Sequence, residues 1–233
     1  MKKLTNFSVG TASILCASQA FAGSITFTDG DFQDSDWSVV EVIDQTPNNS
    51  FTFSGTRIAV GGNPGGYRRA VNQLNTNTGS QIGSGYFQAG AVFDPGEDGS
   101  FLSFDVSLDG ISEPTTAAGA MAYGLVLEQG GNYFRVGLGQ VLNGAGWLNL
   151  SSTGLTSGDF IPETGGVLDL SDSDSAISLG VLAFNGIFGT PSVNSGGFDN
   201  WSVTVNTVSE PGALLLLGAG LAQLSFWRTR ARR

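Results

Sequence analysis

Apolar and polar residues alternate along this chain with a period of two. In Ser100–Leu108, Leu102, Phe104, Val106 and Leu108 share one side, and Ser103, Asp105 and Ser107 share the other. Trp201–Val205 repeats the pattern with Trp201, Val203 and Val205. Asn132–Leu138 sets Phe134, Val136 and Leu138 against Tyr133 and Arg135. Side chains of a strand point to opposite faces in turn, so these runs predict half-buried antiparallel strands. Further strands are predicted at Ser24–Thr28, Trp37–Ile43, Phe51–Phe53, Arg57–Val60, Tyr67–Val71, Tyr86–Phe93, Ala120–Glu128, Trp147–Leu150 and Ile177–Phe184. Turn signals separate them, among them Asp29-Gly, the Gly61–Gly66 loop, Asp94-Pro-Gly, Asp109-Gly, Gly130-Gly-Asn and Asn143-Gly. Many short strands without intervening helical periodicity predict an all-β fold, a two-sheet antiparallel jelly-roll sandwich, with a closed barrel as the alternative. No Pro/Ser-rich linker divides residues 24–206, so one domain is expected over 23–207.

The pattern changes at both ends. Lys2 and Lys3 precede a moderately apolar stretch, Phe7 to Ala17, and then Ala20-Phe21-Ala22 before Gly23. Basic start, apolar middle and small residues at −3 and −1 predict a helical signal peptide over 1–22. The Sec export machinery would read it and signal peptidase would cut it between Ala22 and Gly23. At the other end, Glu210-Pro211 precedes sixteen uncharged residues, Gly212 to Trp227. Arg228, Arg230, Arg232 and Arg233 follow. Sixteen residues make a helix of about 24 Å, short against a hydrocarbon core of about 30 Å. Leu214 to Leu217 is apolar all round rather than striped, which predicts a membrane segment rather than a core helix. Arginines beside such a segment stay cytoplasmic, so the domain would hang outside the inner membrane. Pro211 breaks regular structure just ahead of the helix and leaves Glu210-Pro211 extended and accessible.

Charge sharpens this picture. All twenty acidic residues lie between Asp29 and Glu210, and Arg57, Arg68, Arg69 and Arg135 are the only basic residues in that span, leaving −16. Such a surface repels nucleic acid and anionic lipid. The only cysteine, Cys16, falls inside the signal segment, so the exported domain has no disulfide.

Two resemblances follow from these residues. The tail, Val208-Ser-Glu-Pro211 with its Leu/Gly/Ala-rich helix and arginine cluster, is similar to the sorting signal of PEP-CTERM proteins of Gram-negative bacteria, with Ser209 in place of the first proline. The resemblance implies recognition of Glu210-Pro211 over 208–233 by an exosortase-type membrane enzyme. It also implies transient tethering in the inner membrane and delivery to the cell surface or an exopolysaccharide matrix. The domain resembles concanavalin-like or laminin-type jelly rolls through Thr28-Asp-Gly-Asp-Phe32…Trp37, Gly61-Gly-Asn-Pro-Gly-Gly-Tyr67 and Gly197-Phe-Asp-Asn-Trp-Ser-Val-Thr-Val205. Such folds host lectins, carbohydrate-binding modules, glycosidases and adhesion modules, and the fold does not choose among them.

Candidate chemistry is sparse. The exported span has no histidine, lysine or cysteine. It therefore lacks the usual general base, Schiff-base lysine, thiol nucleophile and histidine-ligated zinc. Paired carboxylates remain the one route to catalysis. The acids lack the alternating run of jelly-roll glucanases, and Asp105 with Asp109 is a poor substitute, so no enzyme is expected. Calcium is a candidate cofactor. Asp29, Asp31, Asp34 and Asp36 crowd eight residues, and Asp169, Asp172 and Asp174 form a second cluster. By resemblance to jelly-roll binding modules, Asp29 or Asp31 would meet Asp199 around a structural Ca²⁺; the alternative is an acidic loop without an ion. Contact with an extracellular polysaccharide would need exposed aromatics with polar neighbours. Tyr133, Arg135 and Trp147 are the candidates, with Tyr67 and Arg69 beside them. The Gly61–Gly66 loop lacks the Gly-Lys-Ser/Thr ending of a phosphate loop and reads as a tight turn. The expected function is an exported structural or adhesive sandwich with glycan contact. A dedicated lectin-like module is the alternative, and a glycosidase the remoter one.

Overall fold

The computed structural model describes residues 21–45, 51–74, 81–113, 119–171, 175–186 and 192–209. The signal segment up to Ala20, the tail from Glu210 through Pro211 to the arginines 228, 230, 232 and 233, and the acids Asp172 and Asp174 lie outside the described residues. Ala22–Ser209 forms one compact unit. Its strands are β1 (Phe21–Asp29), β2 (Trp37–Asp44), β3 (Phe51–Gly62), β4 (Gly65–Leu74), β5 (Gln81–Phe93), β6 (Ser100–Ser112), β7 (Ala120–Gln129), β8 (Asn132–Leu142), β9 (Leu148–Leu155), β10 (Ile161–Pro162), β11 (Ile177–Gly186) and β12 (Ser192–Ser209). They form two antiparallel sheets. The first runs β3-β4-β12-β6-β9 with β1 also paired to β12, and the second runs β10-β8-β7-β11-β5-β2. Phe21 and Ala22, expected to end the signal helix, are extended in β1 instead, and a cut after Ala22 would leave Gly23 to begin that strand. Among the described residues no helix is long and apolar enough to cross a membrane.

The alternating residues fill the space between the sheets. Phe104, Val106 and Leu108 of β6 meet Trp201, Val203 and Val205 of β12. Leu125 and Leu127 of β7 and Leu179, Val181 and Ala183 of β11 close the core from the second sheet. Burying each large side chain contributes about 1.5–3 kcal/mol. One expectation fails within this pattern. Leu102 is 52% exposed, because Asn206 pairs with Ser103 and Thr207 with Phe101, so β6 carries a bulge there. The extra residue turns Leu102 outward and lets Phe101 pack 4.6 Å from Phe104, ring to ring. The two runs predicted at Phe51–Phe53 and Arg57–Val60 are one strand, β3, since Gly55 between them stays in register with Ala70.

The three segments behind the domain's resemblance converge. Phe32 and Trp37 from the opening segment pack against Phe198 and Trp201 from the closing one, with centroids 5.4–5.6 Å apart. Tyr86 of β5 joins Phe198 at 5.5 Å. Arg68 enters this cluster from β4. It is 2% exposed, its guanidinium lies 5.7 Å from the centre of the Trp37 ring, and it reaches Asp34 at 3.0 Å. Burial pulls the Arg68 pKa down, against the opposing pull of Asp34.

Candidate functional site

Because Phe104, Val106 and Leu108 point inward, Ser103, Asp105, Ser107 and Asp109 of β6 must point out. Ser202, Thr204 and Asn206 of β12 lie beside them, and Asn149 and Ser151 of β9 stand opposite Asp109 and Ser107. The outer face of the first sheet is therefore a carpet of hydroxyls, amides and carboxylates. It is cross-linked within itself. Thr26 meets Thr204 at 2.9 Å, Asn206 donates to Ser103 and Asp105, and Asn149 donates to Ser107 and to Asp109 Oδ1 at 2.9 Å.

At one end of this face two carboxylates stand directly opposite each other, Asp109 and Asp199. Like charges so placed repel, and amides answer them. The Asn63 backbone N–H donates to Asp199 Oδ2 at 2.5 Å, and the Asn200 N–H donates to Oδ1 at 2.7 Å. Asp109 Oδ2 accepts from the side chains of Asn63 at 3.2 Å and Asn200 at 2.6 Å. The Asn200 amide also donates to the Asn63 carbonyl. Asn200 holds φ at +49°, a conformation asparagine tolerates better than most residues.

Beside this cluster stands an aromatic pair. Trp147, just ahead of β9, donates its indole N–H to the Gly61 carbonyl at 3.1 Å, which ties it to the β3–β4 turn. Tyr67 packs edge-on against it, centroids 5.3 Å apart, and both rings are half-buried. Tyr67 also lies across Gly197, where a Cβ would come within 2.4 Å of the ring. The Tyr67 hydroxyl donates to Glu113 at 2.8 Å. Glu113 in turn accepts from Arg69 Nε at 2.8 Å and the Ser195 hydroxyl at 2.6 Å. Burial, then the Glu113 contact, pushes the Tyr67 phenol up to about 12, so Tyr67 stays a donor across the physiological range.

Sequence reasoning grouped Trp147 with Tyr133 and Arg135; the structure separates them. Tyr133 and Arg135 lie on the outer face of the second sheet. There Val42, Phe87, Val126 and Leu182 are buried as a cluster of their own, with Val40, Tyr133 and Phe184 packed against it. The Tyr133 ring is 5.9 Å from Phe87, and the Arg135 guanidinium is 5.4 Å from the centre of the Phe184 ring and ion-paired with Glu163. Asn63, Glu113, Asn149 and Asn200 escaped sequence reasoning. The outward parity of β6 was the one available signal for that face, and it named no partner across the loops.

The calcium trio is not gathered. Asp29 Oδ1 caps the Asp31 and Phe32 N–H groups at 2.8 and 2.9 Å, and its Oδ2 accepts the Trp37 indole N–H at 2.6 Å. Asp31 holds Arg57 at 2.8 Å and Gln33 at 2.8 Å. Asp199 follows the inward-pointing Phe198, so strand alternation sends it to the opposite side, toward Asn63. Among the described residues no three histidine, cysteine, aspartate or glutamate side chains form a group that could hold a metal ion. As placed, Asp29, Asp31 and Asp199 do not fit one shared Ca²⁺. Asp199, at 0% exposure, is also out of reach of a substrate.

No family model matches this chain, and no curated protein matches it. Among solved structures it is similar to the family 11 carbohydrate-binding module of the cellulosomal cellulase Lic26A-Cel5E of Clostridium thermocellum. That match has 13% identity and a TM-score of 0.43, over 79% of this chain and 95% of that one. The family 30 module of the cellulosomal cellulase Cel9D-Cel44B of Clostridium thermocellum has 12% identity and a TM-score of 0.40, over 77% and 96%. TmCBM27, a carbohydrate-binding module described for mannan recognition, has 10% identity and a TM-score of 0.41, over 79% and 99%.

Proposed function

We propose that this protein is a non-catalytic, glycan-binding β-sandwich that serves an adhesive role at the cell surface or in the extracellular matrix. The observation that carries the reading is the half-exposed Tyr67–Trp147 pair, fixed beside Asn63, Asn149, Asn200 and Asp109 on the polar face of the first sheet. A sugar ring has apolar C–H faces and a rim of hydroxyls. Aromatic rings take the first, and amides and carboxylates take the second. Delivery is the second part of the proposal. Sec export and signal peptidase act at the N-terminus, and an exosortase-type membrane enzyme acts at Glu210-Pro211. The order of motif, apolar run and arginine cluster in the sequence supports it.

A glycan array probed with the purified chain tests the binding half. Bound glycans that are lost with Trp147→Ala support it, and a silent array leaves a purely structural sandwich. Replacing Glu210-Pro211 by Ala-Ala in the native host tests the delivery half. The mass and location of the protein are expected to change, and unchanged processing would refute the exosortase step.

A further inference from the structure

Every arginine among the described residues is held by a carboxylate. Arg57 is held by Asp31 at 2.8 Å, Arg68 by Asp34 at 3.0 Å, Arg69 by Glu113 at 2.8 Å, and Arg135 by Glu163. Residues 23–209 contain no lysine and no histidine. The domain therefore offers an acidic polymer no cation that is not already engaged, while most of its carboxylates remain uncompensated. The polar face follows the same rule. Asp105, Asp109, Asp199 and Glu113 lie on it, and its one cation, Arg69, is pinned between Glu113 and Ser195. At the end of that face Trp147 and Tyr67 add aromatic π-systems, whose negative faces attract a cation. A surface carrying one sign of charge raises the local concentration of ligands of the opposite sign.

We propose that the polar face of the first sheet takes an amine-bearing polysaccharide, a polymer of 2-amino sugars carrying ammonium groups, in preference to neutral or acidic glycans. The inference rests on the glycan-binding reading and gives its ligand a charge. The sugar ring lies on the aromatic pair, and its ammonium groups lie in the field of Asp105 and Asp109. A uronic-acid or sulfated polymer meets the same field with the opposite sign and is repelled.

Calorimetric titration of the full chain with four tetrasaccharides tests this: glucosamine, N-acetylglucosamine, glucose and galacturonic acid, each at low and at high salt. The glucosamine oligomer is expected to bind tightest and to weaken as salt screens the field. Trp147→Ala is expected to weaken it roughly five-fold or more. Asp105→Asn, at a partly exposed position, is the second variant. It should weaken the amine oligomer and leave the neutral ones unchanged. Glu97→Gln, an exposed acid in the helical turn Pro95–Asp98 between β5 and β6, removes the same unit of charge outside the face and should change nothing. Neutral oligomers binding as tightly as the amine one would overturn the charge preference and leave glycan binding standing. Equal weakening by Asp105→Asn and Glu97→Gln, or indifference to Trp147→Ala, would overturn the assigned face. Silence toward all four oligomers would overturn both the inference and the reading beneath it.

Discussion

The outer faces of the two sheets are built to opposite rules. The outer face of the first sheet carries cross-strand hydrogen bonds between Thr26 and Thr204, Asn149 and Ser107, and Asn206 and Asp105. The second carries Val42, Phe87, Val126 and Leu182, buried as a second apolar cluster on the side away from the sandwich core. β5 shows how one strand serves both purposes, with Tyr86 in the main core and Phe87 in the outer cluster. The hydroxyls, amides and carboxylates available for polar contact are thus gathered on the first face. The second face gains its free energy by excluding water, and its one cation, Arg135, is already paired with Glu163 and stacked on Phe184.

The two faces should respond differently to substitution. The largest effect is expected from Leu182→Ala. Leu182 is fully buried on the second face, so the change should cost about 2–5 kcal/mol in urea unfolding, as a core position would. A cost under ~1 kcal/mol would show that this cluster contributes little to stability. Next comes the cluster at the end of the first face. Asn200→Ala removes amide donors from the Asn63 carbonyl and Asp109 and places alanine at φ +49°. A loss of roughly 2–3 kcal/mol is expected. Asn200→Gly should recover the backbone share alone.

Alkaline pH compares the faces and the core at once. Burial raises the phenol of Tyr67 to about 12, that of Tyr86 to about 12, that of Tyr123 well above the ordinary value, and that of Tyr133 upward as well. A group whose folded pKa is raised contributes stability below its unfolded value, near 10, and that contribution disappears as pH rises toward the folded value. Stability should therefore fall between pH 10 and about 12, with little tyrosinate absorbance before the chain unfolds. An ordinary titration near pH 10 in the folded state would contradict the burial. The smallest effect is expected in the polar net. Thr204→Ala breaks one exposed hydroxyl contact with Thr26 and should change stability by less than about 1 kcal/mol. If it costs as much as Leu182→Ala, the two faces do not differ in kind.

The strands were legible because their alternation is local. Phe104, Val106 and Leu108, or Trp201, Val203 and Val205, state their parity within five residues. The bulge at Leu102 was not legible, since it depends on how β12 is counted against β6. The first half of β12 was also hidden. Val193 to Asn200 carries no apolar alternation, and pairing with β4 and β6 makes it a strand. Two-residue β10 carries no pattern of its own. For the site, aromatic candidates could be drawn from composition, but their grouping could not. Trp147 and Tyr133 look alike in sequence, yet Trp147 lies beside the first sheet and Tyr133 on the second. The tie that settles Trp147 runs to a backbone carbonyl, Gly61, 86 residues earlier, and no side-chain pattern announces a carbonyl.

β12 has a consequence for the order of events in folding. Its eighteen residues are bonded to β4 at one end, to β6 along most of their length, and to β1 as well. It is the last described strand in the chain, and the first sheet has no continuous middle without it. Closing such distant pairings is slow, because the loops between them must be ordered before any contact rewards the ordering. A chain delivered from its N-terminus therefore holds two unjoined halves of a sheet until residues 192–209 arrive. Only with that segment in place can the pairs β3-β4 and β6-β9 become one sheet.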